Sequence, residues 1–140
     1  ARLRPADRDA LQDLLRGRDM VWIAGNHDPA PPAGIGGDHA ETLQVGPVTF
    51  RHAPLAGARG EIAGHLHPAA RVAGRGRFVR RKCFAGDGHR LVLPAFGAYA
   101  GGLNVLDRAF AGLFAAETFR AFVTGEARVY AVRRETLRRD

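Results

Sequence analysis

Apolar positions along the chain change period several times, and each change marks a predicted element. Leu11, Leu14 and Leu15 recur at helical spacing, with Asp7, Arg8, Asp13 and Arg16 on other faces. Residues 5–16 are therefore predicted to form a short amphipathic helix, which Gly17 is placed to end. Residues 20–24 are a continuous apolar run, as in a buried strand, and the run stops at Gly25. Residues 29–37 are mostly Pro, Gly and Ala and read as a loop. Residues 42–45 and 48–51 read as two strands joined across Gly46-Pro47, and a loop with Pro54 and Gly57 follows. Residues 61–63 form another short strand, feeding His65. Residues 78–84 and 90–93 resemble a hairpin turning through Gly86-Asp87-Gly88. Residues 94–104 are small, apart from Phe96 and Tyr99. A short helix is expected over 117–123, a final strand over 127–133, and then a basic tail. The chain shows no internal repeat and no second domain.

Composition narrows this picture. A chain of 140 residues, 46% hydrophobic and 25% charged, can build one globular domain and is not a disordered one. Its 18 glycines and 8 prolines suit short strands and tight loops better than a helical bundle. The formal net charge is +7, and Lys82 is the sole lysine among 21 basic residues. That balance favours polyanions such as nucleic acid, or reflects arginine replacing lysine at ordinary solvated positions. With the single cysteine Cys83, no disulfide can form within the chain, which fits a reducing compartment and a cytoplasmic location. Cys83 lies in Arg-Arg-Lys-Cys-Phe and is either a thiol of lowered pKa or a buried strand cysteine. There is no run of about 18 apolar residues, so no membrane partner is expected.

Four of six histidines stand where apolar runs give way to loops, positions that present side chains on a rigid scaffold. Gly25-Asn26-His27-Asp28 follows the run 21–24 directly. Asn26 offers a neutral carbonyl oxygen to a divalent ion, and His27 an imidazole able to donate a proton. Gly64-His65-Leu66-His67 is the second cluster: on an extended chain both imidazoles would face one side and Leu66 the core. His52 ends the strand 48–51 between the two clusters. His39 and His89 read as surface histidines in polar loops.

In this order the residues resemble the calcineurin-like metallophosphoesterase superfamily, whose last three motifs are Gly-Asn-His-Asp/Glu, a single His and Gly-His-x-His. The two earlier motifs, Asp-x-His and Gly-Asp-x-x-Asp, do not occur before Met20, so the resemblance starts near Met20 and implies an N-terminally incomplete domain over 1–140. Downstream, Arg81-Lys82-Cys83-Phe84 and the stretch 91–104, with Leu-Pro-Ala-Phe-Gly and Gly-Gly-Leu-Asn, resemble a bacterial subfamily, the ligase-associated DNA damage response endonucleases or PdeM-type phosphoesterases.

The resemblance implies an α/β fold, the C-terminal part of a four-layer αββα sandwich. It implies two divalent metal ions, with Mn²⁺ first and Zn²⁺ or Fe as alternatives. Asn26, His52 and His65 would serve one ion and His67 the other. His27 would stand beside them as the catalytic residue, stabilising the transition state or protonating the leaving oxygen. The implied activity is phosphodiester hydrolysis by a water that both ions make acidic, on a substrate such as DNA, with a link to a DNA ligase by resemblance alone. Ligand histidines must be neutral, so metal occupancy should fall with pH. A phosphomonoesterase or nucleotidase would use the same residues. The arginines at 71, 75, 77, 80, 81, 133, 134, 138 and 139 motivate a third reading, a non-catalytic nucleic-acid-binding module, although only Phe78 is interleaved with them as a stacking residue.

Overall fold

The computed structural model describes residues 4–27, 29–30, 33–74, 76–97 and 99–140. Asp28, which ends the first motif, and Arg75 of the basic stretch lie outside the described residues. The predicted helix forms as α1 (Pro5–Leu15), with proline in its first turn and Asp7 placed where an acid complements the helix dipole. It buries none of its own residues and is tied to the following segment by Arg8, whose guanidinium donates to Ala33 O at 2.8 Å.

Apart from two 3₁₀ turns, at Arg108–Phe110 and Arg134–Thr136, the remaining regular structure among the described residues is strand. The run 20–24 becomes β1 (Val21–Ile23), paired in parallel with β2 (Asp38–Ala40). His39 therefore lies in a strand opposite Trp22, exposed, and not in the loop expected. The hairpin β3 (Thr42–Val45) and β4 (Val48–Arg51) matches its prediction, and Gly46 takes the left-handed φ of 57° that its turn requires. Next come β5 (Glu61–Ala63), β6 (Pro68–Ala73), β7 (Phe78–Gly86), β8 (Arg90–Val92), β9 (Leu103–Asn104), β10 (Arg120–Thr124), β11 (Val129–Arg133) and β12 (Leu137–Arg138).

One path runs β11-β10-β7-β8-β5-β4-β3, with β4, β5 and β8 mutually parallel. A second ladder set joins β6 to β7, β9 and β12. The long strand β7 belongs to both: residues 78–82 pair with β6 and residues 83–86 pair with β10. The core gathers along that shared strand, from Ala70, Cys83, Ala85, Val92, Val105, Phe119, Ala121, Val123 and Leu137. Alanines at 70, 85 and 121 are wholly buried, so the sheets approach closely there, and Phe119 fills the largest space, 5.1 Å from the ring of Phe114.

Three expectations need correction. Residues 117–123 do not form a helix; they enter β10, where Ala121 and Val123 point inward and Arg120, Phe122 and Thr124 alternate outward. The ladders on both flanks, to β7 and β11, override the helix-forming composition of that segment. The basic tail is not free: Leu137 is 3% exposed and pairs with Val72. Strands β6, β2 and β9 lie in segments for which no strand was expected. Among the described residues no helix is long and apolar enough to cross a membrane.

Candidate metal centre

Strands β4 and β5 run in parallel side by side, with Arg51 opposite Ala63. Their next residues, His52 and Gly64, therefore leave the sheet together, and Gly64 N donates to His52 O at 2.8 Å. Asn26 follows the C-terminal end of β1. Three strand ends thus deliver Asn26, His52 and His65 to one place, at the carboxyl edge where parallel sheets gather their ligands.

The side-chain atoms converge. Asn26 Oδ1 lies 2.5 Å from His52 Nε2 and 3.3 Å from His65 Nδ1, and the two ring nitrogens are 3.0 Å apart. The rings meet edge to face with centroids 4.9 Å apart. Around a cation with bonds of about 2.1 Å, neighbouring ligand atoms stand ~3.0–3.4 Å apart. Two of the three separations already have that length, and the donor set of two imidazoles and one amide oxygen suits a borderline divalent ion. Gly25 makes the convergence possible, since a Cβ there would come within 2.9 Å of His52 Nδ1. Among the described residues no group of three or more His, Cys, Asp or Glu side chains is placed to hold a metal, so the converging set depends on the Asn26 oxygen for its third donor.

The Gly-His-Leu-His segment is not extended. His65 and His67 have φ of 62° and 48°, and Leu66 N donates back to Gly64 O at 2.7 Å, so the two histidines ride a tight turn. Left-handed backbone at non-glycine residues costs about 1–3 kcal/mol each and persists where its surroundings impose it. Leu66 packs against the core as expected. The carbonyl of His67 accepts from Leu103 N at 3.1 Å, and a Cβ on Gly102 would collide with that carbonyl.

The pKa of His52 is held below its ordinary value by burial and by the nearby imidazoles of His65, His67 and His27, in that order. A neutral ring is the form a metal needs. His27 is exposed beside Asn26, and both it and His67 are electrostatic neighbours of His52 rather than members of the converging set.

A buried ion group fixes the segment after His52. Glu61, on β5, lies 2.9 Å from Arg90 Nε and 3.2 Å from Arg51 Nε, with Glu61 and Arg90 almost fully buried. These nitrogens meet the carboxylate off the hydrogen-bond axis, so the contacts are ion pairs. Arg90 also donates to Leu55 O at 2.5 Å and Ala58 O at 2.8 Å, and Glu61 accepts from Leu55 N at 3.0 Å. The 53–60 loop is thereby tied to the strand that carries His65.

Three residues outside the converging set complete the picture, and His89 keeps the surface position its sequence pattern predicts. Cys83 is wholly buried, and burial pushes its thiol up to about 12 despite Arg80, which resolves its two readings toward a buried strand cysteine. His89 is exposed in the turn after β7, against Arg59. Lys82, the lone lysine and part of the Arg81-Lys82-Cys83-Phe84 stretch, has no role assigned by sequence, yet its ammonium donates to Ala95 O at 3.0 Å and Gly97 O at 2.5 Å. Those two bonds pin the loop that carries Phe96 and Tyr99, both fully exposed.

No protein-family model matches the chain, and no curated protein matches it. Among solved structures it is similar to the crystal structure of Pseudomonas putida nuclease MPE, with 28% sequence identity and a TM-score of 0.65. The similarity covers 91% of this chain, and the chain spans 62% of the length of that one.

Proposed function

We propose that this chain carries most of one metal shell of a dinuclear, Mn²⁺-dependent phosphodiesterase, and that its substrate is a nucleic acid. The convergence of Asn26 Oδ1, His52 Nε2 and His65 Nδ1 from three strand ends carries this reading. The similarity to a nuclease, along 91% of the chain, supports the phosphodiester class over other hydrolyses. The same reading takes residues 1–140 as one domain of the metallophosphoesterase type. Its four-layer sandwich is supported by the two ladder sets that share β7.

In this mechanism Asn26, His52 and His65 would hold one ion through neutral donors, and His67, on the same turn as His65, would serve the second. When bound, a pair of divalent ions polarises the phosphoryl group and lowers the pKa of water. His27, next to Asn26 in the chain, would meet the leaving oxygen as proton donor or stabilise charge developing there. The Glu61–Arg90 pair keeps His52 and the His65 turn in register, so the donor atoms are set before the substrate arrives.

The test is hydrolysis of bis-p-nitrophenyl phosphate by the intact protein with and without Mn²⁺, beside the corresponding monoester. The expected result is Mn²⁺-dependent diester turnover that falls at least a hundredfold in Asn26→Ala and His65→Ala, together with loss of bound metal, and slower turnover of the monoester. Full activity in both variants would sink the proposal, and a preference for the monoester would move it to phosphomonoesterases.

A further inference from the structure

The ladders of β12, β6 and β7 place three arginines in one line. Arg138 is directly opposite Arg71, and Arg71 is directly opposite Arg80. Directly paired residues share a face of a sheet, and Val72 with Leu137 and Val79 occupies the inward one, so the three arginines stand on the outer face. Like charges in cross-strand register oppose folding. Asp140, 3.3 Å from Arg80, is the one carboxylate within ion-pair range of the row among the described residues. Backbone carbonyls of Arg139, Gly102, Glu135 and Leu137 accept from the three guanidiniums and orient them, but these neutral acceptors leave the row's positive charge open to an external polyanion.

The row leads to the candidate metal centre. Arg80 donates to Gly102 O, and Leu103 N, the next amide, donates to His67 O. On the same face of β7, Lys82 holds the backbone of Ala95 and Gly97. Both roots of the 94–102 loop therefore lie beside the histidine turn, since Leu93 N also bonds Ala63 O at 2.7 Å. That loop thrusts out Phe96 and Tyr99, whose relative exposures of 105% and 103% leave both ring faces free. Apolar rings this exposed have no role in the core of the described fold.

We infer that this outer face is the track for a polynucleotide strand: Arg138, Arg71 and Arg80 take its phosphates, and Phe96 and Tyr99 stack its bases beside the metal centre. A charged lane with adjacent aromatic platforms is the pattern by which single strands are held without reading sequence. The inference rests on the nuclease reading above and adds the surface that would select a polymer over a small diester.

The test is binding of a fluorescein-labelled oligothymidylate to the intact protein in EDTA, followed by anisotropy across a salt series. Arg71→Gln/Arg138→Gln removes two phosphate contacts, so the slope of log K against log salt should shrink by about 1.4. Phe96→Ala and Tyr99→Ala should each weaken binding about 5- to 150-fold. The charge-matched Arg16→Gln/Arg18→Gln, in the turn that follows α1 and outside the arginine row, should bind as wild type. Thermal unfolding checks that each variant folds; Phe96 and Tyr99 are free of packing, so their truncation should leave it unchanged. Equal losses in both arginine pairs would mean diffuse attraction to a basic protein and would overturn the track. Wild-type binding by the two aromatic variants would overturn the stacking platform. Diester hydrolysis by the wild-type protein is scored separately, so failure of the nuclease reading and failure of this surface give different results.

Discussion

Gly25→Ala tests the site through a single methyl group. The φ of Gly25 lies outside the left-handed region, so the backbone admits alanine there. The conflict is purely steric: the new Cβ would sit 2.9 Å from His52 Nδ1, 3.1 Å from Cε1 and 3.4 Å from Cγ. A comfortable contact is about 3.5 Å, so the ring must retreat by roughly 0.5 Å. His52 Nε2, on the opposite edge of that ring, is the atom that meets Asn26 and His65. A displacement of 1 Å at a working site costs about a hundredfold, so half of that should cost about tenfold, or ~1.4 kcal/mol, in Mn²⁺ affinity. Stability should fall by about 0–2.6 kcal/mol, the ~1–3 kcal/mol of crowding less the ~0.4–1 kcal/mol from restricting the unfolded chain. The assay is calorimetric titration with Mn²⁺ beside thermal unfolding. Gly36→Ala, where nothing lies within 4 Å of the new Cβ, is the control. A folded Gly25→Ala protein with wild-type Mn²⁺ affinity would refute the claim that the position of His52 sets the metal site.

Three further outcomes follow from the same geometry. Glu61→Gln leaves Arg90 buried without its counter-charge, which should cost about 3–5 kcal/mol and lower the melting temperature on the order of 10 °C, read by thermal unfolding. Asp87 is raised by burial, but backbone N–H donors from Ala115, His89 and Arg90 outweigh this and hold its carboxyl below the usual range. Its stabilisation is therefore complete above the unfolded value of about 3.9 and is lost as pH falls through the folded value beneath it. The stability gap between wild type and Asp87→Asn, from urea unfolding, should be largest near neutrality and close toward acid; a gap that widens in acid would refute the assignment. Cys83, pushed up to about 12, should resist iodoacetamide in the native protein near pH 8 and react once urea unfolds it, as mass spectrometry would show.

Much of the site was legible because its residues sit where apolar runs end. The hairpin across Gly46-Pro47 and the short strand Glu61–Ala63 were readable from local pattern, and the parallel pairing of β4 with β5 sets His52 beside the His65 turn. What escaped was non-local. Strand β6 is Pro-Ala-Ala-Arg-Val-Ala, with a single β-branched residue, and becomes a strand because β7, β9 and β12 pair with it. Residues 120–124 alternate in burial at period two, yet Glu117, Arg120 and Ala121 lend the segment a helical composition. The left-handed turn at His65 and His67 has only a weak signature in residue type: histidine is enriched at positive φ, but neither position is glycine, the residue that marks such backbone plainly. The arginine row was visible only as scattered basic residues, because register, not sequence spacing, aligns 71 with 80 and 138.

The claim that Asn26, His52 and His65 hold a metal is tested most directly by pulsed electron paramagnetic resonance of Mn²⁺ bound to the intact protein carrying ¹⁵N-histidine. The predicted spectrum shows imidazole nitrogens coupled to the bound ion, weakened in His52→Ala and in His65→Ala. Saturable Mn²⁺ binding without histidine coupling, or undiminished coupling in both variants, would contradict it.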